Sequence, residues 1–385
     1  MLIAKSRSTV RQGVPVLAAL LLLLVPASTT HGAPADSSKA NTSIAPMHNG
    51  APPGYTTTPP KEFHPIPLPD SLGLDVQTAW RLRARVGKAF WPAWAAHSPA
   101  PLVVRSNPFD FFILHPDPPS TTTAPKEIPG GGYYYVSLDR LKATPASDTR
   151  IEESNRWWCV SYDLEGGRGK GTRSDIAPLL ATRDFMVYET MTWKPQWADY
   201  AQIGMILALR KNVDLVAWLD SEAVALRAAV LTDSPKERSL QARKAIRARA
   251  MADEICDKQV KLRDALDWYE MAVRSEGAAR YVSLLLQDEA RSVVAGDTTH
   301  ALPEQGGGDF AFRAKVWRAH LAAGRERDVK GVSLVTLREI GAMYCVLLDA
   351  SEPGWQAAFF DPTSRTVDLL GKVLASRRNS KTFSG

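Results

Sequence analysis

Two glutamates occupy places where helical patterning calls for apolar side chains. In the first segment Phe185, Tyr188, Glu189 and Thr192 share one side of a helix that breaks at Pro195. In the second, Leu262, Leu266, Tyr269, Val273, Glu276 and Arg280 follow a 4-3-4-3-4 spacing. That spacing is a continuous helical stripe, and it puts Glu276 inside the apolar face. A carboxylate so placed either finds a partner or keeps its proton, because burial with neither is costly. The plain account is structural: Arg280 lies one turn beyond Glu276 and is placed to pair with it. The other account is chemistry at a buried acid.

Other chemistries find less support. The seven histidines are His31, His48, His64, His97, His115, His300 and His320, and none is paired at i+2, i+3 or i+4. A helical zinc site sets two histidines one turn apart so that both imidazoles meet one ion. The glycine run Gly166-Gly167-Arg168-Gly169-Lys170-Gly171-Thr172 lacks the phosphate loop's first glycine, with Leu164 in its place, and its hydroxyl directly after the lysine. There is no G-x-S-x-G nucleophile elbow. Cys159, Cys256 and Cys345 are an odd count without a metal spacing; Cys159 and Cys345 read as buried, inert thiols, and one bridge stays open.

The elements that position the two glutamates divide the chain. Asp75 to Phe90 reads as a helix, with Leu74, Trp80, Leu82 and Val86 among its apolar positions. Runs at 102–105, 111–114, 133–136 and 157–162 are aromatic and β-branched, separated by Pro and Gly clusters, and read as strands. Residues 70–175 are therefore a mixed portion with a small, mostly antiparallel sheet. From 176 to 385 the chain turns helical, with Asp214 to Val230, Ser239 to about Val293, and Leu334 to Leu348 poor in breakers. The expected class is α+β. Lys236 to Arg249 carries six bases and one acid. A solvated helix face accounts for that block more simply than an anionic partner does. Trp91, Trp94, Trp157, Trp158, Trp193 and Trp197 are candidates to line a carbohydrate or peptide groove, but large aromatics are more often core, and they are assigned no site.

Residues 1–35 combine Lys5, Arg7 and Arg11 with an apolar run from Val14 to Val25 and a small-residue Ala33-Pro34-Ala35 site, the pattern of a secretory signal peptide. Residues 36–69 are a proline-rich linker. The run is too short to span a bilayer, and no later stretch reads as transmembrane. Of the formal charge of +6, three units belong to that leader, leaving 44 bases against 41 acids. That balance gives no footprint for nucleic acid. The expected location is periplasmic or secreted.

Taken together, Tyr188-Glu189-Thr190-Met191-Thr192 with Gln196, and later Glu276-Gly277-Ala278-Ala279-Arg280-Tyr281, resemble the gluzincin metallopeptidases. More narrowly, they are similar to an exported group with an H-E-x-F-H helix and a later E-G-x-A-R-Y helix. Trp91-Pro92-Ala93-Trp94, Phe112-Ile113-Leu114-His115-Pro116, Arg338-Glu339-Ile340-Gly341-Ala342 and Pro353-Gly354-Trp355 add to the match, which spans about residues 70–365. The resemblance implies a zincin-like helical portion. It implies that Glu189 keeps the general-base position and Glu276 the third zinc-ligand position, with Arg280 and Tyr281 supporting the cleft. Tyr188 and Thr192 stand where the two ligand histidines belong. Two of three ligands are thus replaced, and zinc is not expected.

Three readings follow. The first is an exported metallopeptidase-like protein without its zinc site, a non-catalytic binding or envelope-associated factor whose cleft takes a peptide or protein. The second is an active hydrolase using Glu189 with a nonstandard metal site. The third is a structural helical protein with no active site.

Overall fold

A computed structural model describes residues 67–105, 110–120, 122–137, 149–154, 156–163, 173–193, 203–295, 302, 315–317, 331–349, 354–361 and 363–380. The leader, most of the proline-rich linker, the glycine run at 166–172, Pro195, Gln196, His300 and His320 lie outside them.

The first helix, α1 (Asp70–Phe90), starts five residues before the expected Asp75. It buries Leu72, Val76, Ala79, Leu82, Val86 and Phe90 on one side, while Leu74 is turned to solvent. Trp91 leaves helical geometry and ends it, and Pro92 opens α2 (Pro92–Ala96), where a missing N–H costs nothing. Six strands follow: β1 (Leu102–Arg105), β2 (Asp110–Ile113), β3 (Lys126–Glu127), β4 (Tyr133–Val136), β5 (Thr149–Ser154) and β6 (Trp157–Asp163). They form one sheet in the order β3-β4-β2-β1-β6-β5. Every pairing is antiparallel except β1 with β6, where Leu102 faces Val160 and Val104 faces Tyr162. Between β3 and β4, Gly130, Gly131 and Gly132 all take positive φ, the left-handed backbone that glycine adopts without steric penalty.

Period two sorts the sheet's faces. Leu102, Val104, Phe111, Ile113, Tyr134, Val136, Val160 and Tyr162 point into the main core, while Val103, Phe112 and Cys159 form a small separate cluster with Tyr135. The helices build the main core. They are α3 (Arg173–Trp193), α4 (Ile203–Arg210), α5 (Val213–Leu231), α6 (Pro235–Cys256), α7 (Val260–Ala295), α8 (Leu334–Asp349), α9 (Trp355–Phe360) and α10 (Thr366–Ser380). Asn212 caps α5 by accepting from the Leu215 N–H at 3.0 Å, and Ser234 caps α6 ahead of Pro235. The expected helix from Ser239 to about Val293 is two helices, α6 and α7, parted by a turn at Asp257 and Lys258. The class is α+β, with a small, mostly antiparallel sheet and a larger helical portion. From Phe63 to Gly385 the chain clusters into one compact unit, in which α3 packs on α1, α7, β5 and β6.

Helices α7 and α8 meet backbone to backbone. A methyl group added to Gly277 would run into Gly341, and one added to Gly341 would strike the Val273 carbonyl. The glycine of Glu276-Gly277-Ala278-Ala279-Arg280-Tyr281 is thus required by close helix approach. The three cysteines are free and buried.

Candidate active site

Helix α3 carries Phe185, Tyr188 and Glu189 on its buried side, as patterning predicts. Glu189 is 0 % exposed, and neither carboxylate oxygen has a hydrogen-bond partner among the described residues. Burial pushes its carboxyl well above the usual range, and the charge of Glu276 on α7 pushes in the same direction; Arg274 opposes both. The two glutamates singled out from sequence are therefore brought onto packed helices and within each other's field. Cys345 on α8 lies in the same surroundings. Burial raises its thiol first, with Asp349 and Glu189 adding to the effect, so it is held as an inert thiol.

Glu276 does pair, but with a cation on α8 rather than with Arg280 on its own helix. Arg338 Nε on α8 donates to Glu276 Oε2 at 2.5 Å, with the Arg338 side chain half-exposed. Arg280 reaches across to Glu339 at 3.0 Å. The expected i,i+4 bridge is thus replaced by two rungs between helices, Glu276–Arg338 and Arg280–Glu339. The close Gly277–Gly341 contact explains it, since it brings α8 within reach of both α7 charges. Tyr281 donates its hydroxyl to Asp349, which also accepts from Trp355 Nε1 at 2.9 Å. Arg274 does not hydrogen-bond Glu189. It donates to the carbonyls of Phe359 (from Nε, 2.8 Å), Asp361 (2.7 Å) and Ser364 (3.0 Å), holding the end of α9.

Tyr188 and Thr192, which the resemblance sets against two histidines, behave differently from each other. Tyr188 is buried between aromatic rings, 5.6 Å from His97 and 6.0 Å from Phe185, and burial raises its phenol above the usual value. Its hydroxyl meets the side chains of Thr192 and Trp91. Thr192 is exposed at the end of α3 rather than facing the core. As donors, a raised phenol, a neutral hydroxyl and a carboxylate already held by Arg338 do not fit a zinc ion. Among the described residues no group of three or more His, Cys, Asp or Glu side chains is placed to hold a metal.

The α1–α2–α3 corner beneath Tyr188 is built by charge and rings. Asp184 accepts from Arg83 Nε at 2.7 Å, Trp94 Nε1 at 2.7 Å and the Ala100 N–H at 2.6 Å. Phe185 sits edge-on between Trp91 (4.9 Å) and Trp94 (5.3 Å). Trp91 and Trp94 are core, the commoner place for large aromatics. Trp157 and Trp158 are not. They stand 42 % and 39 % exposed beside the β5–β6 turn, where the strands run past the edge of the core.

A second buried acid cluster was not singled out from sequence. Arg249 on α6 holds Glu222 on α5 with two bonds, Nε to Oε2 at 2.8 Å and Nη2 to Oε1 at 2.7 Å. Its Nη1 donates to Glu270 on α7 at 2.7 Å. Tyr344 donates to Glu222 at 2.5 Å, and the Thr366 N–H donates to Glu270 at 2.6 Å. Arg249 also lies over the Tyr269 ring at 4.7 Å. One base of the block read as a solvated face is therefore turned fully inward. The overlooked signal is the one that exposed Glu276. Ala242, Ala245, Arg249, Ala252 and Cys256 follow a 3-4-3-4 stripe, as do Leu215, Leu219, Glu222 and Leu226 at 4-3-4.

No family model, no curated protein and no solved structure matches this chain. Among the described residues no helix is long and apolar enough to cross a membrane.

Proposed function

We propose that this chain is an exported, non-catalytic protein of metallopeptidase type, whose former metal centre is closed by an arginine–glutamate pair and whose cleft side takes a peptide or protein ligand. The observation that carries the reading is the Arg338–Glu276 pair at 2.5 Å. In a zinc peptidase the third-ligand glutamate is balanced by the metal; here a guanidinium supplies the positive charge. Glu189, at the general-base position, has no exposed surface from which to draw a proton off water. A ligand would meet what these elements leave outside: Met191, Thr192 and the half-exposed Arg338.

A structural protein with no ancestral site also has an observation in its favour, because the Gly277–Gly341 contact gives the Glu-Gly-Ala-Ala-Arg-Tyr motif a packing reason independent of chemistry. Metal analysis and peptide hydrolysis by the purified protein test the pseudoenzyme reading against an active one. The expected result is no bound zinc and no hydrolysis that Glu189→Gln abolishes. Stoichiometric zinc, lost together with hydrolysis in Glu276→Gln, overturns it.

A further inference from the structure

We propose that the outer face of α6 is a docking surface for an anionic lipid bilayer. Lys236, Leu240, Arg243, Lys244 and Arg247 are all exposed, and their spacing of i, i+4, i+7, i+8 and i+11 gathers them on one side of the helix. That side covers an arc of about 100° and a length of about 16 Å. The opposite side is buried through Ala242, Ala245, Arg249, Ala252 and Cys256, so α6 is fixed in rotation and the stripe cannot turn inward.

The four cations form no hydrogen bond or ion pair with any described residue, unlike Arg249 on the same helix. The nearest acid in sequence, Glu237, is engaged by Gln241 Nε2 at 2.6 Å, and the exposed Glu254 lies two turns beyond Arg247. The surface is therefore complementary to a plane of negative charge. Leu240 decides which kind. It is 48 % exposed in the middle of the stripe, where an apolar side chain enters the boundary between headgroups and acyl chains. A polyphosphate backbone gives that leucine nothing to bury, and no aromatic ring stands on the stripe for a base to stack on. This inference does not depend on how Glu189 and Glu276 are read.

The test is flotation of the full chain with phosphatidylcholine vesicles, with and without phosphatidylglycerol, at low and high salt. The Val14–Val25 run and the leader's Lys5, Arg7 and Arg11 are common to every variant, so the readout is the change in binding between variants. The unmodified chain is expected to bind the phosphatidylglycerol vesicles more tightly, with salt weakening the difference. Each single change Lys236→Gln, Arg243→Gln, Lys244→Gln or Arg247→Gln should weaken binding about fivefold. The four together should weaken the preference far more than any one of them, and Arg243→Lys with Arg247→Lys should keep it. Leu240→Ser should weaken vesicle binding severalfold with the charges intact. The proposal is overturned if the fourfold glutamine variant binds as well as the unmodified chain, if Leu240→Ser changes nothing, or if duplex DNA is bound in preference to the vesicles at equal salt.

Discussion

Helix α7 contributes a glutamate to each of two buried acid sites, and the sites are built on opposite principles. Around Glu270 every charge is answered: Arg249 bridges Glu222 and Glu270, the Thr366 N–H donates to the Glu270 oxygen that Arg249 leaves open, Tyr344 adds a second bond to Glu222 Oε1, and the group spans five helices. Burial works against ionised Glu270, but Arg249 and the Thr366 N–H prevail and hold its carboxyl below the usual range. One helical turn and a half further along α7, Glu276 is held by a half-exposed Arg338, and Glu189 across from it has no hydrogen bond from any described residue. The same physical cost of burial is met in one place and left standing in the other. A core acid whose partners are complete needs no explanation beyond packing. A core acid without partners is costly to the fold, and packing alone does not account for it.

The contrast breaks most visibly at Arg249. Arg249→Met leaves two carboxylates buried with no cation and should cost about 3–5 kcal/mol in urea unfolding. Adding Glu222→Leu and Glu270→Leu to it should recover much of that loss, because the whole cluster is then apolar. Failure of Arg249→Met to destabilise would show that the first site is not held as described.

The α7–α8 crossing carries both sites, so its disturbance should act on both. Gly341→Ala places a methyl against the Val273 carbonyl, and the helices must part. A loss of about 1–3 kcal/mol is expected from thermal unfolding. Unchanged stability would remove the account of how Arg338 reaches Glu276.

The smallest effect carries the sharpest sign. Because the folded-state carboxyl of Glu189 is raised, native protein keeps a proton that unfolded chain releases above about pH 4.3. Stability from this group is complete below that value and falls as pH rises toward the folded value. Glu189→Gln removes the ionisation while keeping the shape. The variant should therefore match the parent near pH 4 and exceed it by a margin that grows as pH rises toward 8. A gap between the two that does not change with pH contradicts the unpartnered carboxylate.

Much of this is legible in the residues, unevenly. Strands at 102–105 and 133–136 fall where aromatic and β-branched runs lie between turn residues. Strand β5 carries no such signal, because Thr-Arg-Ile-Glu-Glu-Ser is an edge strand that supplies one apolar side chain, Ile151, toward Val160. Glu276 stands out because it interrupts a stripe of large apolar residues. Arg249 interrupts one as regular, but of alanines, and alanine does not announce a core. Its partners lie 27 and 21 residues away, so their meeting depends on the fold. Likewise local spacing offers Glu276 a cation on its own helix, Arg280, whereas the one it meets comes from α8. Spacing within a helix reveals which residues face inward; which of them meet depends on how helices cross.

The central claim, that positions 188, 192 and 276 preserve the layout of a lost zinc site, is tested most directly by restoring the ligands. Tyr188→His with Thr192→His puts two imidazoles one turn apart on α3, the helix whose Glu189 feels the charge of Glu276, and a further Arg338→Ala frees that carboxylate. Zinc titration of the folded variants should show one site, absent in the parent, tighter when Arg338 is removed and lost again in Glu276→Gln. Folded variants that gain no zinc affinity, or gain it without any dependence on Glu276, would contradict the account.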